Sequence, residues 1–338
     1  MKRIILAVVS YGFAACCAQA QNAIPVTPDN FVRAETDMYF ANLVRDGSFG
    51  KFDHIREPAS IDNQAIIRLN RDTLYSSAVF DLDAGPVTII FPDAGKRFMS
   101  LQVLDEDQYT HGVIYRPGSY TFDRKGIGTR YVGFLVRTLV DPNSPKDIEA
   151  VHSLQDKLHA SQKSPGKFEV PDWDKASQAK VREALLILAS TTKSLNGAFG
   201  AKGEVDPVHR LIGAAAGWGG NPDKNAVYVG GSPDRNDGTT IYRLEVKKGV
   251  PVDGFWSISV YNAAGYFEKN PFNAYSLNDI TATKDSDGSV LVQFGGCDGK
   301  IPNCLPITKG WNYIVRLYRP RSEILDGSWK FPQPQPVQ

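Results

Sequence analysis

Short apolar runs alternating with polar residues, and broken by Asp, Gly or Pro, dominate this chain. Residues 74–80, 87–91, 98–104 and 131–136 are rich in β-branched and aromatic side chains, which predicts antiparallel strands joined by tight turns. A second set follows at 239–246, 255–261, 289–294 and 313–318, with turn signals at Asp237-Gly238 and Asp287-Gly288. Helical spacing appears in three places. Val32, Tyr39, Phe40, Leu43 and Val44 follow a capping Thr27-Pro28-Asp29 and stop at Asp46-Gly47. Ile148, Val151, Leu154 and Leu158 share one face of a helix over 147–160. Val181, Leu185 and Leu188 recur in a run opened by Asp172. This helical insert ends near Asn196-Gly197, and a Gly-rich segment from Gly213 to Gly220 leads into the second set of strands.

Strands that succeed one another without crossover helices favour antiparallel sheets over a doubly wound fold. The pattern therefore predicts a mainly β protein with helical insertions, built as two antiparallel sandwich or jelly-roll-like modules. The first spans 21–195, carrying the N-terminal and central helices, and the second spans 196–332. Residues 333–338, with Pro334 and Pro336, read as an exposed tail that does not pack.

The first twenty residues are different in kind. Lys2 and Arg3 precede an apolar run from Ile4 to Cys17, and Ala18-Gln19-Ala20 offers a small-x-small cleavage site. This is the layout of a secretory signal peptide over 1–20, which places the mature protein in the periplasm or outside the cell. Phe13-Ala14-Ala15-Cys16 distantly resembles a lipoprotein box, so lipidation at Cys16 stands beside cleavage after Ala20. Net charge is +1, from 38 basic and 37 acidic side chains. A near-neutral, well-mixed balance argues against nucleic acid or an anionic membrane surface as the main partner, and no span crosses a membrane. With Cys16 and Cys17 inside the leader, Cys297 and Cys304 remain. Two nearby cysteines in a Gly/Pro-containing loop of an exported protein predict a disulfide.

Several of these residues carry a resemblance. Asn70-Arg71-Asp72-Thr73-Leu74-Tyr75, Phe91-Pro92-Asp93 and Gln102-Val103-Leu104-Asp105 resemble the first half of a bacterial two-module family. Gly254-Phe255-Trp256-Ser257, Asn270-Pro271, Asn303-Cys304-Leu305-Pro306 and Arg316-Leu317-Tyr318-Arg319-Pro320 resemble its second half. The family pairs the domains of unknown function numbered 1254 and 1214. The resemblance covers residues 31 to 332 and implies sandwich-like modules and an exported location. Some members are labelled hydrolases or carboxylesterases. Where the family reads Asn-Trp-Leu-Pro, this chain has Cys304 in place of the Trp, in keeping with a local disulfide substituting for an aromatic contact.

Candidate chemistry collects at strand ends. Arg71, Asp72 and Tyr75 form one polar group, in which Arg71 orients an anion, Asp72 acts as base and Tyr75 donates a hydrogen bond. An Asx-type turn at Asn70 and Asp72 is the plainer account. Asp105, Asp107 and His111 form a second group. Asp107 suits a general base and His111 a proton-transfer partner, and with Asp105 they present metal-type ligands, although a solvated turn explains them equally. No Gly-x-Ser-x-Gly elbow and no phosphate loop occur. In the second module Trp256, Tyr261, Asn270 and Arg316 are candidates for lining a small-molecule pocket between the modules, against filling a sandwich core. The resulting expectation is a hydrolase-like enzyme acting on a small organic or envelope-derived substrate in an inter-module cleft. Its alternative is a non-catalytic ligand-binding or envelope-interaction protein. No cofactor is indicated.

Overall fold

Alternation does what the sequence predicts: each long strand sends one set of side chains into a sandwich core and the other toward a neighbouring layer. The computed structural model describes residues 23–64, 67–192 and 194–337; the leader and Cys16 lie outside them. In the first module, strands Asp53–His54, Thr73–Asp81, Tyr131–Leu139, Met99–Asp105 and Thr110–Ile114 form a five-stranded antiparallel sheet in that spatial order. Ala78, Phe80, Phe134, Val136, Leu101 and Val103 project from one face. They pack on Val87, Ile89 and Phe91 of a three-stranded sheet, ordered Gly118–Phe122, Val87–Phe91, His159–Gln162.

The second module stacks two four-stranded sheets. The inner one runs Ser276–Asn278, Trp256–Tyr261, Asn312–Tyr318, Ala226–Gly231; the outer runs Cys304–Leu305, Val290–Phe294, Tyr242–Val246, Gln335–Pro336. Trp256, Ile258, Val260, Val315 and Leu317 from the inner sheet meet Leu244, Val292 and Phe294 from the outer in one core. Cys297 and Cys304 are joined by a disulfide. Among the described residues no helix is long and apolar enough to cross a membrane.

Helices Phe31–Arg45, Lys175–Thr191 and Pro207–Gly217 share a cluster built on Phe31, Leu185 and Ile212. The first also lies on the five-stranded sheet, with Phe40 packed on Val79 and Tyr131. Three elements depart from the sequence reading. The helix expected over 147–160 is Pro145–Gln155; Leu158 instead enters the sandwich core, and His159–Gln162 becomes an edge strand. Within the Gly-rich segment, Asp206 caps a further helix by accepting from the His209 amide, with Pro207 at its first turn. This helix packs with the first module's helices, so the sequence boundary at 195/196 cuts through a packed unit. The Pro-rich tail stays exposed but is paired: Gln335–Pro336 adds to the edge strand Tyr242–Val246, where a missing proline N–H is tolerated.

Gly133 fixes the approach of the first helix, since a Cβ there would lie 2.5 Å from Phe40 Cε1. Gly133→Ala is therefore expected to lower stability by about 1–3 kcal/mol through overpacking, read as a lowered midpoint in urea with an unchanged slope.

Candidate functional site

Strand register lines up polar side chains on the faces that the two modules turn toward each other. In the first module Tyr75 pairs directly with Arg137, and Arg137 with Ser100. Directly opposed residues of an antiparallel sheet share a face, so these three form a row across three strands. In the second module Asn278, Ser257, Arg316 and Tyr228 form a row across all four strands of the inner sheet. Contacts between the modules join the two rows. Asn278 donates to Asp72 at 3.1 Å, and Asn70 donates to the Tyr318 hydroxyl at 3.0 Å. Arg316 donates to the backbone carbonyl of Arg68 at 2.9 Å, and Tyr261 to that of Leu69 at 2.7 Å.

Two buried guanidinium groups dominate the electrostatics. Arg316 is held by the Ser259 and Tyr261 hydroxyls at 2.7 and 2.8 Å. Arg137 donates to Gln102 Oε1 at 2.7 Å, to the Gly219 carbonyl at 2.9 Å and to Asn221 Oδ1 at 3.4 Å. Every partner of Arg137 is neutral; among the described residues no carboxylate forms an ion pair with it. Its guanidinium sits 5.6 Å from the centre of the Tyr75 ring. Burial works to raise the Tyr75 phenol, but the Arg137 charge, hydrogen bonds with Thr73 and Asn70, and the Arg316 charge outweigh it and hold it below the ordinary tyrosine value. Tyr318 goes the other way: burial, with Tyr228 and Tyr75 as neighbours, lifts it well above that value. One Asn70 amide nitrogen reaches both hydroxyls, at 3.4 Å for Tyr75 and 3.0 Å for Tyr318. Burial likewise raises the Asp72 carboxyl, against the charge of Arg316 and the hydrogen-bonding groups of Ser257, Asn278 and Ser276. Tyr75 itself is half-buried.

The residues singled out from sequence divide among several places. Asp72, Tyr75, Tyr261 and Arg316 meet at the junction. Arg71 donates to the Ala59 carbonyl and lies over the Tyr275 ring at 5.3 Å, which engages its guanidinium beside the row. Trp256 is 5% exposed and points into the second core, because it alternates with Ser257. Asn270 closes its own loop by accepting from the Phe272 and Ala274 amides. His111 bonds to Asp105 at 2.9 Å, while Asp107 pairs with Arg33 at 2.9 Å. Asp105 lies five residues along its strand from Ser100, about 16 Å at 3.3 Å per residue, so the two polar groups do not converge. Among the described residues no cluster of three or more His, Cys, Asp or Glu side chains is arranged to hold a metal ion.

Sequence reading missed Arg137 and Asn221 as site residues. The available signal was a single Arg within the apolar run 131–139, at a position that alternates with Val136 and Thr138.

Comparison with known proteins places Tyr75 and Ser100 in one matched domain and the inner-sheet row in a second, with Arg137 outside both matched segments. Residues 49–126 match a family model described as a protein of unknown function (DUF1254), and 226–322 match one described as a protein of unknown function (DUF1214). No curated protein matches. The fold resembles that of the VPA0106 protein from Vibrio parahaemolyticus, with a TM-score of 0.69, 17% identity and coverage of 91% of this chain and 96% of that one. It also resembles an uncharacterized protein from Burkholderia cenocepacia, with a TM-score of 0.51, 12% identity and coverage of 91% and 87%.

A buried acidic group accompanies Asp107. Glu106 accepts from the Tyr131 amide at 2.9 Å, and Asp37 from the Trp173 indole at 2.8 Å. Burial pushes the Asp37 carboxyl up to about 6 from 3.8, against the Trp173 hydrogen bond. A raised acid favours the fold fully below its unfolded value and loses that contribution as pH rises through its folded value. Asp37→Asn is thus expected to gain on the parent between pH 4 and 7.5, by on the order of 2–3 kcal/mol. Urea midpoints measured across that range check this, and a constant difference refutes it.

Proposed function

We propose, from the premise that this chain belongs to the family joining a DUF1254 module to a DUF1214 module, that the junction binds a small organic anion outside the cytoplasm. The observation that carries the reading is Arg137, a buried guanidinium whose partners are all neutral. A buried charge without a counter-charge is expensive, and an entering carboxylate or similar anion would relieve that expense with charge-assisted hydrogen bonds. The polar rows offer hydroxyl and amide groups for orientation. The disulfide and the export-type leader support an oxidising compartment.

A hydrolase-like enzyme at the same place is the second reading. It is favoured by the opposite displacement of the Tyr75 and Tyr318 phenols, because paired groups pushed apart in this way divide into base and acid. The Tyr75 and Tyr318 hydroxyls, both within reach of the Asn70 amide, would be the proton-transfer pair, with Arg137 holding the anion. The sequence-derived pairing of Asp107 with His111 plays no part here, since Arg33 engages Asp107.

Thermal shift with a panel of small carboxylates, phosphates and sulfonates tests the binding reading on the parent and on Arg137→Gln. At least one anion is expected to stabilise the parent, by about 2.7 kcal/mol at a hundredfold excess over Kd. Arg137→Gln is expected to lose that shift, while Tyr75→Phe keeps it and loses any turnover of the ligand found. Equal shifts in the parent and Arg137→Gln, or no shift from any anion, refute the reading.

A further inference from the structure

We propose that the open end of the second sandwich binds an amphipathic anion, an apolar chain or ring system headed by a carboxylate. This site is separate from the junction: Trp256, which contributes to it, projects into the sandwich core, on the opposite face of its strand from the row containing Ser257 and Arg316.

The site is a cleft of about 270 Å³, formed where the two sheets of the sandwich end. Its floor is core that is not capped. Val246 and Val290 are the last directly opposed pair of the outer sheet, and Trp256 begins the inner strand facing them. Its rim is cationic, formed by Lys247, Lys248 and Lys284. Among the described residues the lysines engaged in ion pairs are Lys224 and Lys269, so these three ammonium groups have no carboxylate within ion-pair distance.

Local backbone sets up the rim. Gly288 adopts a φ of +84° in the turn between Asp285 and Ser289, and a Cβ there would stand 3.0 Å from Lys248 Cδ. The Lys248 stem therefore lies across a glycine at the cleft rim, where a side chain at 288 would displace it. Two acidic groups nearby, Asp287 and Asp279, offset the three lysines only in part. Asp287 is committed to the Ser289 amide and hydroxyl, at 2.9 and 2.7 Å. Asp279 in the wall has a buried Oδ1 without a hydrogen-bond partner, and burial pushes its carboxyl up against the Lys284 charge.

An apolar floor under a cationic rim selects by both parts of the ligand. Inorganic phosphate would satisfy the lysines but gain nothing from Trp256 and the valines, and a neutral chain would leave the lysines unused. The size is at the low end of ligand pockets, roughly 300 Å³, which suits a single medium-length chain.

Octanoate, octanol and inorganic phosphate, titrated by calorimetry with Trp256 fluorescence followed in parallel, test the proposal. Octanoate is expected to bind one per chain and to perturb Trp256 emission. Octanol and phosphate are expected to bind at least tenfold more weakly. Lys248→Gln with Lys284→Gln, both at exposed positions that the fold does not need, should weaken octanoate at least tenfold, and Lys224→Gln, away from the cleft, should leave it unchanged. Octanoate binding that is absent, or indifferent to the lysine pair, overturns the proposal. Binding lost in Arg137→Gln and kept in the lysine variant also overturns it, and assigns the anion to the junction instead.

Discussion

Two guanidinium groups buried between the modules constrain the rest of this molecule. Arg137 and Arg316 are 6% and 4% exposed, and neither forms an ion pair among the described residues. Groups of this kind are tolerated only where hydrogen-bond acceptors surround them, because the desolvation penalty is several kcal/mol per ion. Both modules help to supply the acceptors. Arg316 leans on the Arg68 and Leu69 carbonyls of the first module, and Arg137 on the Gly219 carbonyl and Asn221 beyond the third helix. Separating the modules would strand these charges, so the junction acts as a specific lock rather than a generic apolar contact. The apolar part of the junction, with Phe98 and Leu139 against Phe255 and Tyr318, surrounds the lock and lowers the local dielectric.

Period-two alternation explains how an ordinary pair of sandwiches comes to present such a seam. Each sheet spends one face on its own core, leaving the other available. On the inner sheet the residues alternating with Trp256, Ile258 and Val260 are Ser257, Ser259 and Tyr261; on its neighbour, those alternating with Val315 and Leu317 are Arg316 and Tyr318. A one-residue slip in register would turn Arg316 into the core and Val315 into the seam, which makes this register strongly specified.

That logic also decides what the sequence could reveal. The strands around 74–80, 87–91, 98–104 and 256–261 were legible because their apolar alternation is uninterrupted, and the Cys297–Cys304 bridge because its loop is short. Asp72, Tyr75, Tyr261 and Arg316 stood out as polar residues at strand starts or on the face opposite the core. Arg137 did not, since one Arg in a run such as 131–139 reads as a solvated outward position until a second sheet is placed over it. For Trp256 the sequence leaves a ligand-lining role beside a core role, and its alternation with Ser257 assigns it to the core. The helix Pro207–Gly217 was masked by its glycines, yet Gly213 is needed there, as a Cβ would lie 2.8 Å from that of Ala198. The edge strand Ala226–Gly231 ends in two glycines, and only its pairing with Asn312–Tyr318 defines it.

The balance of charge at the seam sets the direction of any chemistry it supports. Two guanidinium groups face a single carboxyl, Asp72, whose burial drives it toward the neutral form. The remaining groups able to carry negative charge are phenols, and Tyr75, against Arg137, is the one held down. The unliganded seam therefore has one means of neutralising Arg137 from within, ionisation of Tyr75, and an anion arriving from outside would compete for the same guanidinium. An entering anion would offset the Arg137 charge that lowers the Tyr75 phenol, so anion binding and proton affinity at this hydroxyl are linked through Arg137.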